Sequence, residues 1–168
     1  MGDEAALTRI EQETWLPHGS PSAYRPRPFF ENVRPEEVLV GVLDGEVAGY
    51  LCLQPATPLA SNAHVLMVTG LGVAPSAQRR GVAGGLLEAA ETYASERNVE
   101  RLTLRVLSVN TAARALYERH GYQSEGKLRG EFRLPVGPGG EVVPVDDVLM
   151  AKAISANPRV PETRERVP

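Results

Sequence analysis

The sequence predicts an α/β (α+β) domain in which a mixed central sheet is flanked by helices, and three observations predict it. Short apolar runs of strand length alternate with stretches of helical periodicity. An Asp-Gly pair separates two of those runs, as in a tight hairpin. A glycine-rich loop then joins a strand-like run to the start of a helix. The order helix, hairpin, strand, helix, strand, helix, strands needs both antiparallel pairings and crossovers, hence a mixed sheet.

The first element is a helix over residues 4–15, where Leu7, Ile10 and Leu16 recur among charges. Residues 17–30 (PHGSPSAYRPRPFF) are proline-rich and read as a long loop. Residues 38–43 and 46–53 flank Asp44-Gly45 and form the hairpin, because that dipeptide supplies the positive φ angles of a two-residue turn. After a loop over residues 55–62, HVLMVTGLGV (residues 64–73) is apolar enough for a central strand.

A helix is expected over residues 81–97, with Val82, Leu86, Leu87, Ala90 and Tyr93 inward and Glu88, Glu91, Ser95 and Glu96 outward. RLTLRVL (residues 101–107) alternates as a strand with Leu102, Leu104 and Val106 on one side. Residues 110–120 form another helix, capped by Gly121. A strand from about Tyr122, a further stretch over residues 127–134, a PVGPGG turn and a last strand over residues 145–151 complete the sheet.

The 168 residues fit one domain, residues 1–154, and the proline-bearing tail 155–168 has little to bury and is expected to be disordered. A net charge of −3 argues against nucleic-acid binding, and no apolar run reaches the length of a membrane span. The acidic, mixed start is unlike a secretory signal, so a cytoplasmic protein is expected. Cys52 is the one cysteine and sits in an apolar run, as a small buried hydrophobe does. His18, His64 and His120 are widely spaced, and no metal site is expected.

The loop QRRGVAGG (residues 78–85) is the most informative stretch. The dinucleotide fingerprint fails because Pro75 stands at its third glycine. The triphosphate loop fails because Gly84-Gly85-Leu86 offers neither the lysine nor the hydroxyl. The pattern (Q/R)xxGx(G/A) is met in full by Gln78, Arg79, Arg80, Gly81, Val82 and Ala83. Successive N–H groups there can converge on an anion, aided by the helix N-terminus, and a side chain at Gly81 would obstruct the approach. Arg79 and Arg80 either add charge for a phosphate or are solvated loop arginines.

With GLGVAPSAQRRGVAGGLL (residues 70–87), NTAARALYERHGY (residues 110–122) and the terminal VDDVLMAK, the chain resembles the GNAT superfamily of acetyl-CoA-dependent N-acetyltransferases over roughly residues 38–153. The resemblance implies the GNAT fold, which usually opens with a short edge strand; here either that strand is absent or the start is late, and a partner subunit is expected over the sheet edge beside it, hence a homodimer. It implies acetyl-CoA as acyl donor and a primary amine of a small molecule or of a peptide or protein N-terminus as acceptor. It assigns the diphosphate to Gln78, Arg79, Arg80, Gly81, Val82 and Ala83. The pantetheine arm falls to the main chain of Leu71, Gly72 and Val73 and to Asn110 and Ala113. Tyr117 is the general acid, although a tyrosine in an amphipathic helix also serves simply as packing.

One departure bears on the chemistry. Some relatives carry a glutamate base where this chain has Met67, leaving His64, a carboxylate such as Glu31, or water for that role. The acceptor pocket is expected from residues 17–30, with Tyr24, Arg25, Arg27, Phe29 and Phe30, and from residues 129–143, with Glu131, Phe132 and Arg133. His120 is expected at the surface. A catalytically silent acetyl-CoA-binding sensor or interaction module is the alternative reading.

Overall fold

Helix α1 (Asp3–Trp15) forms because Leu7, Ile10 and Thr14 return to one face every three to four residues. Both apolar side chains are fully buried, each worth about 1.5–3 kcal/mol. The computed structural model describes residues 3–15, 27–31, 33–135 and 138–155. Leu16, most of the 17–30 loop and the tail beyond residue 155 lie outside the described residues. The end of that loop is not irregular as expected, because Phe29–Glu31 makes one 3-10 turn. Phe29 anchors it, its ring edge-on to Phe30 and Tyr50 at 5.3 and 4.8 Å.

Strands β1 (Val38–Leu43) and β2 (Glu46–Pro55) pair antiparallel about Asp44 and Gly45, whose φ angles of 55° and 84° are those of the expected turn. Strand β3 (Val65–Val73) pairs antiparallel with β2 and leads into α2 (Val82–Ser95). Strand β4 (Arg101–Leu107) lies parallel to β3, and α3 (Thr111–Arg119) follows. Strands β5 (Gln123–Leu134) and β6 (Val143–Ala153) close the chain, and the sheet order is β1-β2-β3-β4-β6-β5.

The two pieces expected after Tyr122 are one strand. Alternation breaks in β5 because register shifts at Ser124/Gly126 and Leu128/Phe132 insert extra residues, which a reading by period takes for an end.

The sheet separates two cores. On one face α2 and α3 cover Leu51, Val68, Leu102, Leu104, Val106 and Val148. On the other, α1 and Phe29 cover Ala48, Tyr50, Cys52, Ala74 and Ala77. Alternation fixes the assignment: Gly49, Leu51, Leu71 and Val73 look toward α2, while Tyr50, Cys52, Gly70 and Gly72 look toward α1. Glu91 departs from its expected solvent face and is half-buried, accepting from Lys152 Nζ at 2.6 Å across to β6.

Candidate functional site

Strands β3 and β4 pair only over Val65 to Val68 against Arg101 to Leu104, although β3 runs on to Val73 and β4 to Leu107. An extra residue, Thr69, bulges where Cys52 pairs with Gly70 and Leu53 with Val68. A bulge bends its strand, and here the bend coincides with the point where β3 leaves β4. Residues 69–73 therefore keep β2 on one side and, among the described residues, no strand on the other.

The Ala74 N–H donates to the Ala48 carbonyl at 2.8 Å, which sets the phase of the ladder. Gly72, two residues back, exchanges bonds with Tyr50, so the N–H and C=O groups of Leu71 and Val73 turn away from β2 into the gap. The Val73 carbonyl accepts a 3.4 Å bond from the Gln78 side chain, tying the loop to this edge.

The loop behaves as a helix N-terminus with no side chain capping it among the described residues. Gly81 is the N-cap of α2, with no side-chain hydrogen bond and no acidic residue in the first turn. The N–H groups of Gly81, Val82, Ala83 and Gly84 precede any intrahelical partner. Gly81 has φ 86°, and a β-carbon there would meet nothing within 4 Å. The glycine is thus required by backbone conformation rather than by a crowded protein wall, and the space before it is open to a ligand.

The two arginines differ. Arg80 donates to Asp44 at 2.9 Å across to the hairpin turn, while Arg79, itself at φ 59°, makes no ion pair among the described residues. An anionic diphosphate fits this cradle, and an extended, amide-bearing arm fits the free edge of residues 69–73.

Asn110 is not in the helix as expected but is its N-cap: Oδ1 accepts the Ala113 N–H at 3.2 Å, leaving the amide NH2 as donor. Ala113 spends its N–H in that cap and packs its methyl toward the core. Tyr117 lies on the inward face, 7% exposed, edge-on to Tyr122 at 5.9 Å. Burial pushes its phenol up to about 12. At that value full transfer of its proton to a thiolate of ordinary pKa near 8.5 is uphill by about 5 kcal/mol, so a hydrogen bond is the form in which it aids a leaving sulfur.

His120 is half-buried rather than on the surface, because α3 ends against the first turn of α2. A β-carbon on Gly84 would lie 3.1 Å from its Nε2, so the bare glycine makes room for the ring.

The groups named for proton removal are dispersed. His64 precedes β3 at its paired end, away from the gap, and is exposed. Glu31 is exposed and pairs with Arg27 at 4.0 Å. Met67 faces α1 between Gln54 and Thr103. Of the expected acceptor-pocket residues, Tyr24 and Arg25 lie outside the described residues, Glu131 pairs with Arg105 at 3.2 Å, and Phe132 is 41% exposed.

Sequence reasoning missed two carboxylates. Asp147, 3% exposed, accepts from Arg105 on the α1 side of the sheet. Glu11 is half-buried, and desolvation raises its pKa against the opposing pull of Arg27. The Leu7, Ile10, Thr14 stripe contained the signal for Glu11, since a residue four after Leu7 flanks the buried face. Cys52 is buried, its thiol pushed up to about 12 by desolvation, which leaves it inert as a nucleophile.

The Acetyltransferase (GNAT) family profile matches residues 5–122. The chain is 34% identical over 88 residues to an uncharacterized N-acetyltransferase, YhfO, of Bacillus subtilis, a match covering 52% of this chain and 59% of that one. It therefore spans about three fifths of that relative's length. It is 31% identical over 106 residues to an aminoglycoside N(6')-acetyltransferase type 1 of Klebsiella aerogenes, covering 61% and 69%. A Salmonella typhimurium protein solved with its cofactor acetyl-CoA superposes with a TM-score of 0.69 at 18% identity, over 92% of this chain and 90% of that one, a likeness of fold. With its mixed six-stranded sheet, bulged β3 and matching profile, the chain belongs to the GNAT acetyltransferase family.

Proposed function

We infer that this protein is an N-acetyltransferase carrying an acetyl group from acetyl-CoA to a primary amine, of a small molecule or of a peptide or protein N-terminus. The observation that carries the reading is the unpaired edge of residues 69–73 running into an uncapped helix start at Gly81. Acetyl-CoA supplies an activated carbonyl carbon. The chain's own residues then have distinct tasks. N–H groups of residues 79–84 and Arg79 hold the diphosphate, and Arg80 stiffens the loop by holding Asp44. Leu71 and Val73 offer main-chain groups to the arm and to the thioester oxygen. Asn110 offers its free amide NH2, and Ala113 completes the cap that orients it. Tyr117 donates a hydrogen bond to the leaving sulfur.

The Klebsiella relative is named for an amine of an aminoglycoside, which supports a small-molecule acceptor. Direct attack of the amine needs no residue to carry the acyl group, in keeping with the inert Cys52. A homodimer across the β1 edge belongs to the same reading. It is supported by Val40 and Val42, 38% and 62% exposed on a strand paired on one side only among the described residues, and light scattering at a single monomer mass would refute it.

The absence of a carboxylate at Met67 favours a second reading, an acetyl-CoA-binding module without turnover. Calorimetry with acetyl-CoA, followed by thiol release against a panel of amines that includes an aminoglycoside and a peptide, separates the two. Binding with release supports the enzyme, and binding without release the module. No binding removes both.

A further inference from the structure

Helix α1 lies over the segment of β3 that has lost its β4 partner. A β-carbon on Gly72 would come within 3.2 Å of Thr14 Oγ1, and within 2.6 Å of the Tyr50 ring, so the helix can approach this closely only over glycine. One turn back toward the N-terminus, about 4.5 Å along the axis, is Glu11. At 100° per residue it stands about 40° from Leu7, on the flank of the buried stripe rather than in solvent. Its charge is felt at Cys52, the cross-strand partner of Gly70. Glu11 therefore lies on the α1 face of the sheet near Cys52, whose cross-strand neighbours are Val38 on β1 and Gly70 on the free edge.

Several other carboxylates near this face of the sheet are engaged. Glu37 accepts from Gln54 at 3.0 Å and from Arg34. Asp147 and Glu131 share Arg105. Glu4 accepts the Phe30 N–H at 3.4 Å. The Glu11 carboxylate makes no hydrogen bond or ion pair among the described residues, although it is half-buried. Desolvating a carboxylate without a partner is costly, and such groups concentrate where function needs them.

We propose that Glu11 is the base of the transfer, holding the acceptor's ammonium above residues 69–73 and taking its proton, the role that Met67 cannot fill. This rests on the acyl-transfer reading above. The ammonium gives one proton to a Glu11 oxygen, which passes it to solvent. The freed nitrogen lone pair bonds to the acetyl carbon, and the carbon–sulfur bond breaks with its electron pair on sulfur. The second proton lost by nitrogen balances the one the sulfur acquires, with the Tyr117 hydroxyl as hydrogen-bond donor.

The titratable and charged groups that bear on Glu11 are Arg27 before β1, which favours its ionised form, and Cys52 on β2; Glu37 reaches the same thiol from the β1 side. Burial dominates, so the carboxyl titrates above its ordinary range and is a stronger base for it. Activity must then fall as pH drops through that raised value.

The test uses the full chain, acetyl-CoA and an amine that the wild type turns over. Glu11→Gln is expected to melt no lower than wild type and to bind acetyl-CoA within about 2-fold by calorimetry. Its kcat should fall about 10²–10⁴-fold. Its residual rate should climb with slope one in log rate against pH, since only amine deprotonated beforehand reacts, while Glu11→Asp recovers part of the loss. An unchanged kcat, or a lower one with the wild-type pH profile, overturns the role of Glu11 alone. Wild type that releases no thiol with any amine overturns the acyl-transfer reading, and this role with it.

Discussion

At the scale of single residues, two tyrosines five positions apart illustrate how burial divides similar side chains. Tyr117 is buried with its phenol pushed up to about 12, whereas the Tyr122 hydroxyl, also raised by burial, has no hydrogen-bond partner among the described residues. Tyr117→Phe should keep acetyl-CoA affinity within about 2-fold and slow turnover about 10- to 100-fold, the worth of one hydrogen bond to a charged atom. Equal rates would remove it from the chemistry. Tyr122→Phe takes away a desolvated group that receives nothing in return, so urea unfolding should show stability raised by about 1 kcal/mol. A loss of stability would mean that the hydroxyl is partnered after all. Asn110 and Tyr117 were named from the family resemblance, and their spacing of seven put both on one helix face; in the structure Asn110 is the helix N-cap rather than a helical residue, and Tyr117 packs against the core.

Elements matter here mainly through how they begin and end. Helix α2 starts at a glycine with φ 86°, and β3 ends its pairing with β4 at a bulge; these two irregularities make the cradle and the free edge. Gly81→Ala should cost about 1 kcal/mol in thermal or chemical unfolding, since an L-residue resists the left-handed conformation. Gly81→Glu adds bulk and a negative charge where the diphosphate belongs, and calorimetry should then detect no acetyl-CoA binding. Affinity retained by the glutamate variant would overturn the loop assignment. The loop pattern was readable because it is local and fixed in spacing. The bulge at Thr69 was not, because β-branched threonine suits a regular strand equally well and only the registers on its two sides reveal the extra residue.

For the whole molecule, the buried titratable groups set a direction for stability against pH. The fold holds Cys52 at about 12 against its usual 9.0, and Tyr117 at about 12 against 10.0. A raised value in the folded state favours the neutral form, so the contribution is complete below the unfolded value and drains away as pH rises through the folded one. The urea midpoint should therefore decline from about pH 9 and keep falling toward pH 12, as the unfolding free energy drops by a few kcal/mol in all. In Cys52→Ala the decline should start nearer pH 10. A midpoint flat across that range would contradict the burial of both groups.

By itself the sequence determined the order of elements, the Asp44-Gly45 turn, the glycine loop and the family, because each rests on near neighbours in the chain: a period of two or 3.6, a turn dipeptide, a motif of fixed spacing. Only the tertiary structure decided that β3 and β4 part after Val68, that Arg80 is tied to Asp44 while Arg79 is not, that His120 lies on Gly84, and that Glu11 on α1 is half-buried. Each of these is a relation between residues far apart in the chain. Burial and pairing, which give a side chain its chemistry, are properties of the packed neighbourhood that no single segment contains.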